Sequence, residues 1–320
     1  GLLHLRHSIV DRLQEGGAAV EAFLANFFAQ REVVQIDDLG RILIEIVGIV
    51  GESGSGKSAS MLSVLRLLPP TAHIRGSISF EGQDLFNSSS REMREIRGGK
   101  IGMIFQDPMT SLNPSFRIGA QIAEAVMQHS DVSTKVAVSK ATGLLEVVSI
   151  PRPSESMSLF PHELSGGMKQ RIMIAMAIAN DPELLIADEP TTALDVTIQA
   201  QILEVLRGLR ETRQLSIVII THDLGVVAGL ADNVNVMYAG EIVESGNVEG
   251  LFYQSSHPYS RGLLSCVPRL DIRESALHPI GGDPPKLSER SPGCSFQPRC
   301  KSSTSLCETT KPKLERSVLS

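Results

Sequence analysis

This chain predicts an α/β fold with a parallel sheet and crossover helices, and two stretches of sequence carry that prediction. The first is Gly51-Glu52-Ser53-Gly54-Ser55-Gly56-Lys57-Ser58, set between the apolar run Ile46 to Val50 and the helix-like run Met61 to Leu68. It reads as strand, loop, helix. The second is Leu184-Leu185-Ile186-Ala187, a short buried-strand pattern that ends in Asp188-Glu189-Pro190. Two carboxylates therefore stand where a parallel strand stops, the edge at which open α/β sheets gather their ligands.

Residues 1–41 are set apart as an N-terminal region. Within Val10 to Gln30, Val20, Phe23, Leu24, Phe27 and Phe28 recur at helical spacing, which predicts a helix with a phenylalanine packing face. In the loop that follows the strand Ile46 to Val50, Gly51 and Gly56 permit the backbone angles that close around an anion. The next helix aims its N–H groups and positive dipole end at that anion. The loop residues Gly51, Glu52, Ser53, Gly54, Ser55, Gly56, Lys57 and Ser58 are thus a candidate ATP site. Lys57 is suited to the β- and γ-phosphates and the Ser58 hydroxyl to Mg2+. Glycine-rich loops also serve as plain turns or helix caps; the full spacing with Lys-Ser, in this setting, separates this one from them.

From Pro108 to about Pro161 strand-like alternation is missing, and Ile118 to Met127 reads as helix. In Leu164-Ser165-Gly166-Gly167-Met168-Lys169-Gln170-Arg171, Ser165 is placed to cap a helix, while Gly166 and Gly167 let the backbone approach a second anion. At the end of the next strand Asp188 suits the magnesium shell, and Glu189 suits the polarisation of a water that attacks the γ-phosphate. Taken alone, that stretch has a second reading as a solvated strand end with acidic residues, which its pairing with the loop 51–58 argues against. The strand Ser216 to Ile220 leads into Thr221-His222-Asp223, and beyond His257 the prolines 279, 284, 285, 292 and 298 predict an irregular extension rather than another wound domain.

The segment Leu164 to Arg171 resembles the signature of the ATP-binding cassette family, LSGGQ, with Met168 in the Gln position. The resemblance extends to Ile104-Phe105-Gln106-Asp107-Pro108, to Ala193-Leu194-Asp195 and to Thr221-His222-Asp223, so six motifs follow in the family's order from Gly51 to Asp223. It implies a P-loop NTPase core of the RecA-like kind with a parallel sheet over about residues 42–250 and an inserted α-helical subdomain over about 108–165. It also implies that two cassettes pair head to tail, the signature helix of one covering the ATP held by the other. In that arrangement Glu189, His222 and Gln106 are the catalytic set. His222 holds the γ-phosphate and orients Glu189, and Gln106 touches the magnesium and the attacking water. Ser58 and Asp188 complete the magnesium site, while Ser165, Gly166 and Gly167 serve the nucleotide across the dimer and Asp195, at the same nucleotide interface, carries signals across it. A histidine after a strand is ordinarily a cap and a glutamine ordinarily surface; only their order within the set lifts them. The family also begins with an antiparallel strand pair bearing an adenine-stacking aromatic, where this chain shows helical spacing instead.

Composition agrees with a soluble, intracellular ATPase. At 320 residues and 42% hydrophobic content the chain is long enough for a sizeable core. A net charge of −6 without a basic run argues against a nucleic-acid partner. The apolar stretches around Ile42 to Val50 and Ile172 to Ile178 are shorter than a bilayer span, and no secretory signal is evident. Action at a membrane is therefore expected through other subunits.

The tail narrows the resemblance. His257-Pro258-Tyr259-Ser260-Arg261-Gly262-Leu263-Leu264, then Gly293-Cys294-Ser295-Phe296-Gln297-Pro298-Arg299-Cys300 with Cys307, looks like the C-terminal region of ATPases that serve dipeptide and oligopeptide importers. Importers of nickel, glutathione and other small peptides share these motifs. The implied partners are a second cassette ATPase, two transmembrane permease subunits and an extracytoplasmic peptide-binding protein, with this subunit peripheral on the cytoplasmic face of the inner membrane. All four cysteines, Cys266, Cys294, Cys300 and Cys307, fall in residues 251–320, which in a cytosolic chain points to metal chemistry rather than disulfides. Cys294, Cys300 and Cys307 are candidate ligands of a [4Fe-4S] cluster, which some resembling ATPases carry. Zinc and three reduced thiols are the alternatives, and Cys266 is the one further thiol in the chain.

Overall fold

The computed structural model describes residues 35–36, 42–267, 279–285 and 292–315. The helix expected over Val10 to Gln30 lies outside them. The chain falls into two compact units, the first drawing on 34–46 and 80–220, the second on 47–79 and 221–320.

In the first unit, strands β4 (Ile101–Ile104), β5 (Leu184–Asp188) and β6 (Ser216–Thr221) run parallel, with Ile101 opposite Leu184 and Asp188 opposite Ile220. Every residue of β5 and β6 is buried, which is why 184–187 and 217–220 read as unbroken apolar runs rather than alternating ones. Strands β1 (Gln35–Ile36) and β2 (Ile42–Leu43) form a short antiparallel pair. Helix α2 (Ser90–Ile96) opens on a capping box at Ser89, and helix α3 (Ile118–Met127) forms where its spacing predicts, burying Ile118, Ile122, Ala123 and Val126. Helix α3 packs on α4 (Thr134–Val147) and α5 (Gly166–Ala177). Ser133 and Ser165 cap the last two, each accepting from the N–H three residues on. Gly102 is a packing requirement, because a Cβ there would stand 2.3 Å from the Ala177 carbonyl oxygen. Among the described residues the segment between Pro108 and Pro161 contains helices and no strand.

In the second unit, β3 (Ile46–Val50) pairs in parallel with β7 (Asn233–Tyr238), Val47 opposite Asn233 and Val50 opposite Val236. β8 (Glu241–Asn247) returns antiparallel through Ala239 and Gly240, whose φ values of 48° and 81° give the two-residue turn that strand twist favours. Helix α1 (Lys57–Val64) is shorter than the apolar run Met61 to Leu68 predicts. Arg66 adopts φ 51° and Leu67 N–H closes the end on Leu62 O at 2.8 Å, because Pro69 and Pro70 cannot continue a helix. Helices α7 (Leu224–Leu230), α8 (Val248–Gln254) and α9 (Pro258–Ser265) cover this sheet.

The proline-rich tail contributes to the core of this unit. Tyr259 of α9 and Phe296 join Val50, Val227, Val236, Tyr238 and Leu251 in one buried cluster. The rings of Tyr238 and Tyr259 lie 4.5 Å apart, and Phe296 meets Tyr238 edge-on at 5.2 Å. Lys311 pairs with Glu241 of β8.

Candidate functional site

The candidate phosphate loop, residues 51–58, belongs to the second unit. It leaves β3 at Gly51, where the backbone passes so close to β7 that a Cβ would lie 2.1 Å from the Met237 carbonyl oxygen. Gly54 and Gly56 hold φ values of 78° and 100°, and Gly56 is the N-cap of α1 without any side-chain cap. An N-terminus left uncapped by side chains presents its N–H groups and positive end along the helix axis. Lys57 is buried, and its ammonium donates to Gly51 O at 2.7 Å and Glu52 O at 2.8 Å. That fixes a positive charge inside the curve of the loop. Ser55 O in turn accepts from Gly240 N–H at 2.9 Å, tying the loop to the hairpin of β7 and β8. Ser58 follows Lys57 in the first turn of α1.

Glu52 is engaged differently from its neighbours. Its carboxylate faces Arg299, with Nη1 to Oε2 at 2.6 Å and Nη2 to Oε1 at 2.9 Å, and its N–H donates to the Tyr259 hydroxyl at 2.8 Å. The expectation that Glu52 serves the nucleotide directly thus meets a carboxylate committed to the tail. His222 is exposed and sits between two stabilised neighbours: Thr221 Oγ1 accepts from Asp223 N–H at 3.0 Å, and Asp223 caps α7 by accepting from Gly225 N–H at 2.8 Å.

In the first unit, Asp188 is the buried last residue of β5 and Glu189 stands one residue beyond. Glu189 holds φ 48°, a left-handed conformation, while its N–H donates to Ile220 O at 2.8 Å. A non-glycine residue held in that region costs on the order of 1–3 kcal/mol and is kept where the side chain must point in a given direction. Here the carboxylate oxygen Oε2 accepts from Gln106 Nε2 at 3.0 Å and Thr192 Oγ1 at 2.8 Å. The structure thus brings Gln106, 83 residues earlier in the chain, onto Glu189. Thr192, three residues after Glu189, belongs to no motif of the sequence and joins the site only through this hydrogen bond.

Ser165 caps α5, leaving Gly166 exposed at its first turn. Asp195 caps α6 (Val196–Arg213), accepting from Ile198 N–H at 2.9 Å. The two caps are neighbours: a Cβ on Gly167 would stand 2.6 Å from Ile198 Cγ2.

The thiols do not form the expected centre. Among the described residues no group of three or more His, Cys, Asp or Glu side chains is placed to hold a metal ion, so the cluster expected at Cys294, Cys300 and Cys307 is without support. Cys294 and Cys307 are joined through the backbone, Cys294 N–H donating to Cys307 O at 2.8 Å. Burial pushes the Cys294 thiol up, towards the protonated form, and the thiols of Cys307 and Cys300 add to the shift. The half-buried Cys307 thiol is held down by its hydrogen bond with Thr304. Cys266 is exposed at the end of α9. The tail is anchored instead by Phe296 in the core and Arg299 on Glu52.

Two family descriptions match the chain: "ABC transporter" over residues 43–192, and "Oligopeptide/dipeptide transporter, C-terminal region" over residues 243–307. The dipeptide transport ATP-binding protein DppD of Bacillus subtilis is 51% identical over 270 residues, covering 84% of this chain and 81% of that protein. The oligopeptide transport ATP-binding protein OppD of Salmonella typhimurium is 48% identical over 283 residues, covering 88% and 84% respectively. Among solved structures, the dimeric post-hydrolysis state of the ATP-binding cassette MJ0796 bound to ADP and Pi aligns with a TM-score of 0.57 at 27% identity, covering 65% of this chain and 89% of that one. Identity at this level, sustained over most of both chains, shows that the protein is an ATPase of the ABC transporter family, in the branch that carries the oligopeptide/dipeptide transporter C-terminal region.

Proposed function

We propose that this chain is the ATP-hydrolysing subunit of a membrane importer for dipeptides or oligopeptides. The observation that carries the reading is one chain in which a cassette with Glu189 held by Gln106 is joined to the tail region of peptide-transport ATPases. Lys57 and the loop residues 51–58 would bind the phosphates of ATP, and Ser58, Asp188 and Gln106 would complete the magnesium shell. The oxygen-rich character of that donor set suits a hard cation. The ion would draw charge from the phosphates, while Glu189 accepts the proton of the attacking water and His222 orients the γ-phosphate. Ser165, Gly166, Gly167 and Asp195 would meet the nucleotide of a second cassette subunit.

No helix among the described residues is long and apolar enough to cross a membrane. Two permease subunits would therefore supply the pathway and an extracytoplasmic binding protein the solute, with this subunit peripheral on the cytoplasmic face. In the reconstituted complex, ATP turnover should rise several-fold when peptide-loaded binding protein is added, and stay at the basal rate with nickel or glutathione. Stimulation by either of those solutes in place of peptide would move the protein to a related importer.

The helical segment between Gln106 and about Pro161 would dock the permease. Its exposed apolar side chains Phe116, Met127, Val136, Val138 and Val147 support that reading. It also begins at Gln106, which touches Glu189, so closure around ATP can move it. Photocrosslinkers placed at Phe116 and Val136 should couple to a permease subunit. Adducts found only on nucleic acid or ribosome would instead favour a soluble mechanical ATPase.

A further inference from the structure

Glu52 is gripped at three points, and all three bear on the phosphate loop. Its carbonyl oxygen accepts from the Lys57 ammonium at 2.8 Å. Its N–H donates to the hydroxyl of Tyr259, a residue with no exposed surface, at 2.8 Å. Its carboxylate takes the fork of Arg299, whose side chain is only 5% exposed. Arg299 spends its remaining donors within the same unit: Nε on Gly281 O at 3.0 Å, Nη1 on Tyr238 Oη at 3.3 Å and Nη2 on Ile280 O at 3.4 Å. A guanidinium has five N–H bonds in a fixed planar fork, so five acceptors determine its position. The aromatic cluster sets it further, with the guanidinium carbon 5.8 Å from the Tyr238 ring centre and 6.0 Å from that of Phe296.

We propose that Arg299 and Tyr259 are positioning residues for nucleotide binding: the C-terminal tail clamps Glu52 and so fixes the carbonyl that places the Lys57 ammonium. The mechanical case is short. Residue 52 is the second of the loop, and only its own backbone separates the atoms held by the tail from the atom that holds Lys57. The opposite side of the loop is already fixed, by Gly51 against Met237 and by Ser55 O on Gly240 N–H. The tail supplies the remaining restraint on a loop otherwise made of small residues. The clamp is also charge-stable. Burial pushes the Tyr259 hydroxyl up, and the Glu52 hydrogen bonds push Arg299 up, so neither changes protonation near neutrality. A tail that served only as a staple would need neither a buried arginine aimed at a loop carboxylate nor a hydroxyl on a loop N–H.

The inference rests on reading residues 51–58 as the ATP site, so Lys57→Ala serves as the reference variant. In the full chain, Tyr259→Phe keeps the ring and removes only the acceptor for Glu52 N–H. Arg299→Lys keeps the charge and loses the fork, and Arg299→Met loses both. The dissociation constant for MgATP should rise about fivefold in Tyr259→Phe and about tenfold in Arg299→Lys, with a larger rise in Arg299→Met. Turnover at saturating ATP should stay within about twofold, because the clamp acts on binding and not on Glu189. Parental MgATP affinity in folded Tyr259→Phe and Arg299→Lys, alongside lost binding in Lys57→Ala, would overturn the clamp and leave the loop assignment standing. Parental affinity in Lys57→Ala as well would remove the loop assignment itself.

Discussion

Glu189→Gln is expected to bind MgATP as the parent does while its turnover falls by about two to three orders of magnitude. A positioned general base contributes on that scale, and an amide cannot take the proton of the attacking water. The substitution is nearly isosteric, and its carbonyl oxygen can still accept from Gln106 and Thr192, which hold Oε2 at 3.0 and 2.8 Å. The left-handed backbone at Glu189, φ 48°, is anchored by its own N–H on Ile220 O and does not depend on the carboxylate charge. If Glu189 faces the γ-phosphate as proposed, neutralising it also removes a negative charge from that site, so a dimer closed on ATP should accumulate. Single-turnover hydrolysis with gel filtration in MgATP checks both effects. Turnover at the parental rate would remove Glu189 from its role.

Lys57→Ala should fail one step earlier, at nucleotide binding, by about a hundredfold or some 2.7 kcal/mol. The ammonium is the one cation that the loop itself contributes, and it is buried in the curve of the loop. Its loss leaves the carbonyl oxygens of Gly51 and Glu52 without the donor that now stands at 2.7 and 2.8 Å, at a cost to stability of about 1–3 kcal/mol. The two consequences separate in a thermal melt. The midpoint without nucleotide should drop by a few degrees, and the upward shift that MgATP gives the parent should vanish. A preserved MgATP shift would show that Lys57 does not hold the phosphates.

The two variants differ because the residues do different work. In the proposed roles Lys57 acts in the ground state, through a charge fixed in the curve of the loop. Glu189 would act only when a water must be deprotonated, so its loss should spare binding. A pair of substitutions that both abolish hydrolysis is thus resolved by measuring binding and turnover separately.

Features that depend on neighbours along the chain can be read from residue order. The loop 51–58 reads as an anion cradle because its glycines and lysine are spaced for one backbone path. Asp188 and Glu189 read as a strand end because the apolar run stops there, and Ser165 reads as a cap because it begins a helical pattern. Each is set within a few residues by backbone sterics and local hydrogen bonds, so spacing alone carries it. The meeting of Gln106 with Glu189, 83 residues apart, was legible only through resemblance to a family, and Thr192 beside it was not legible at all. The role of the tail emerges only from contacts between distant parts of the chain. Its prolines predicted an irregular extension and its cysteines a metal centre, yet Tyr259 and Phe296 complete a core and Arg299 reaches Glu52 across 247 residues. No local rule couples positions that distant. A buried guanidinium finds its carboxylate because desolvation makes an unpaired charge costly, and that cost exists only once the core around it has formed.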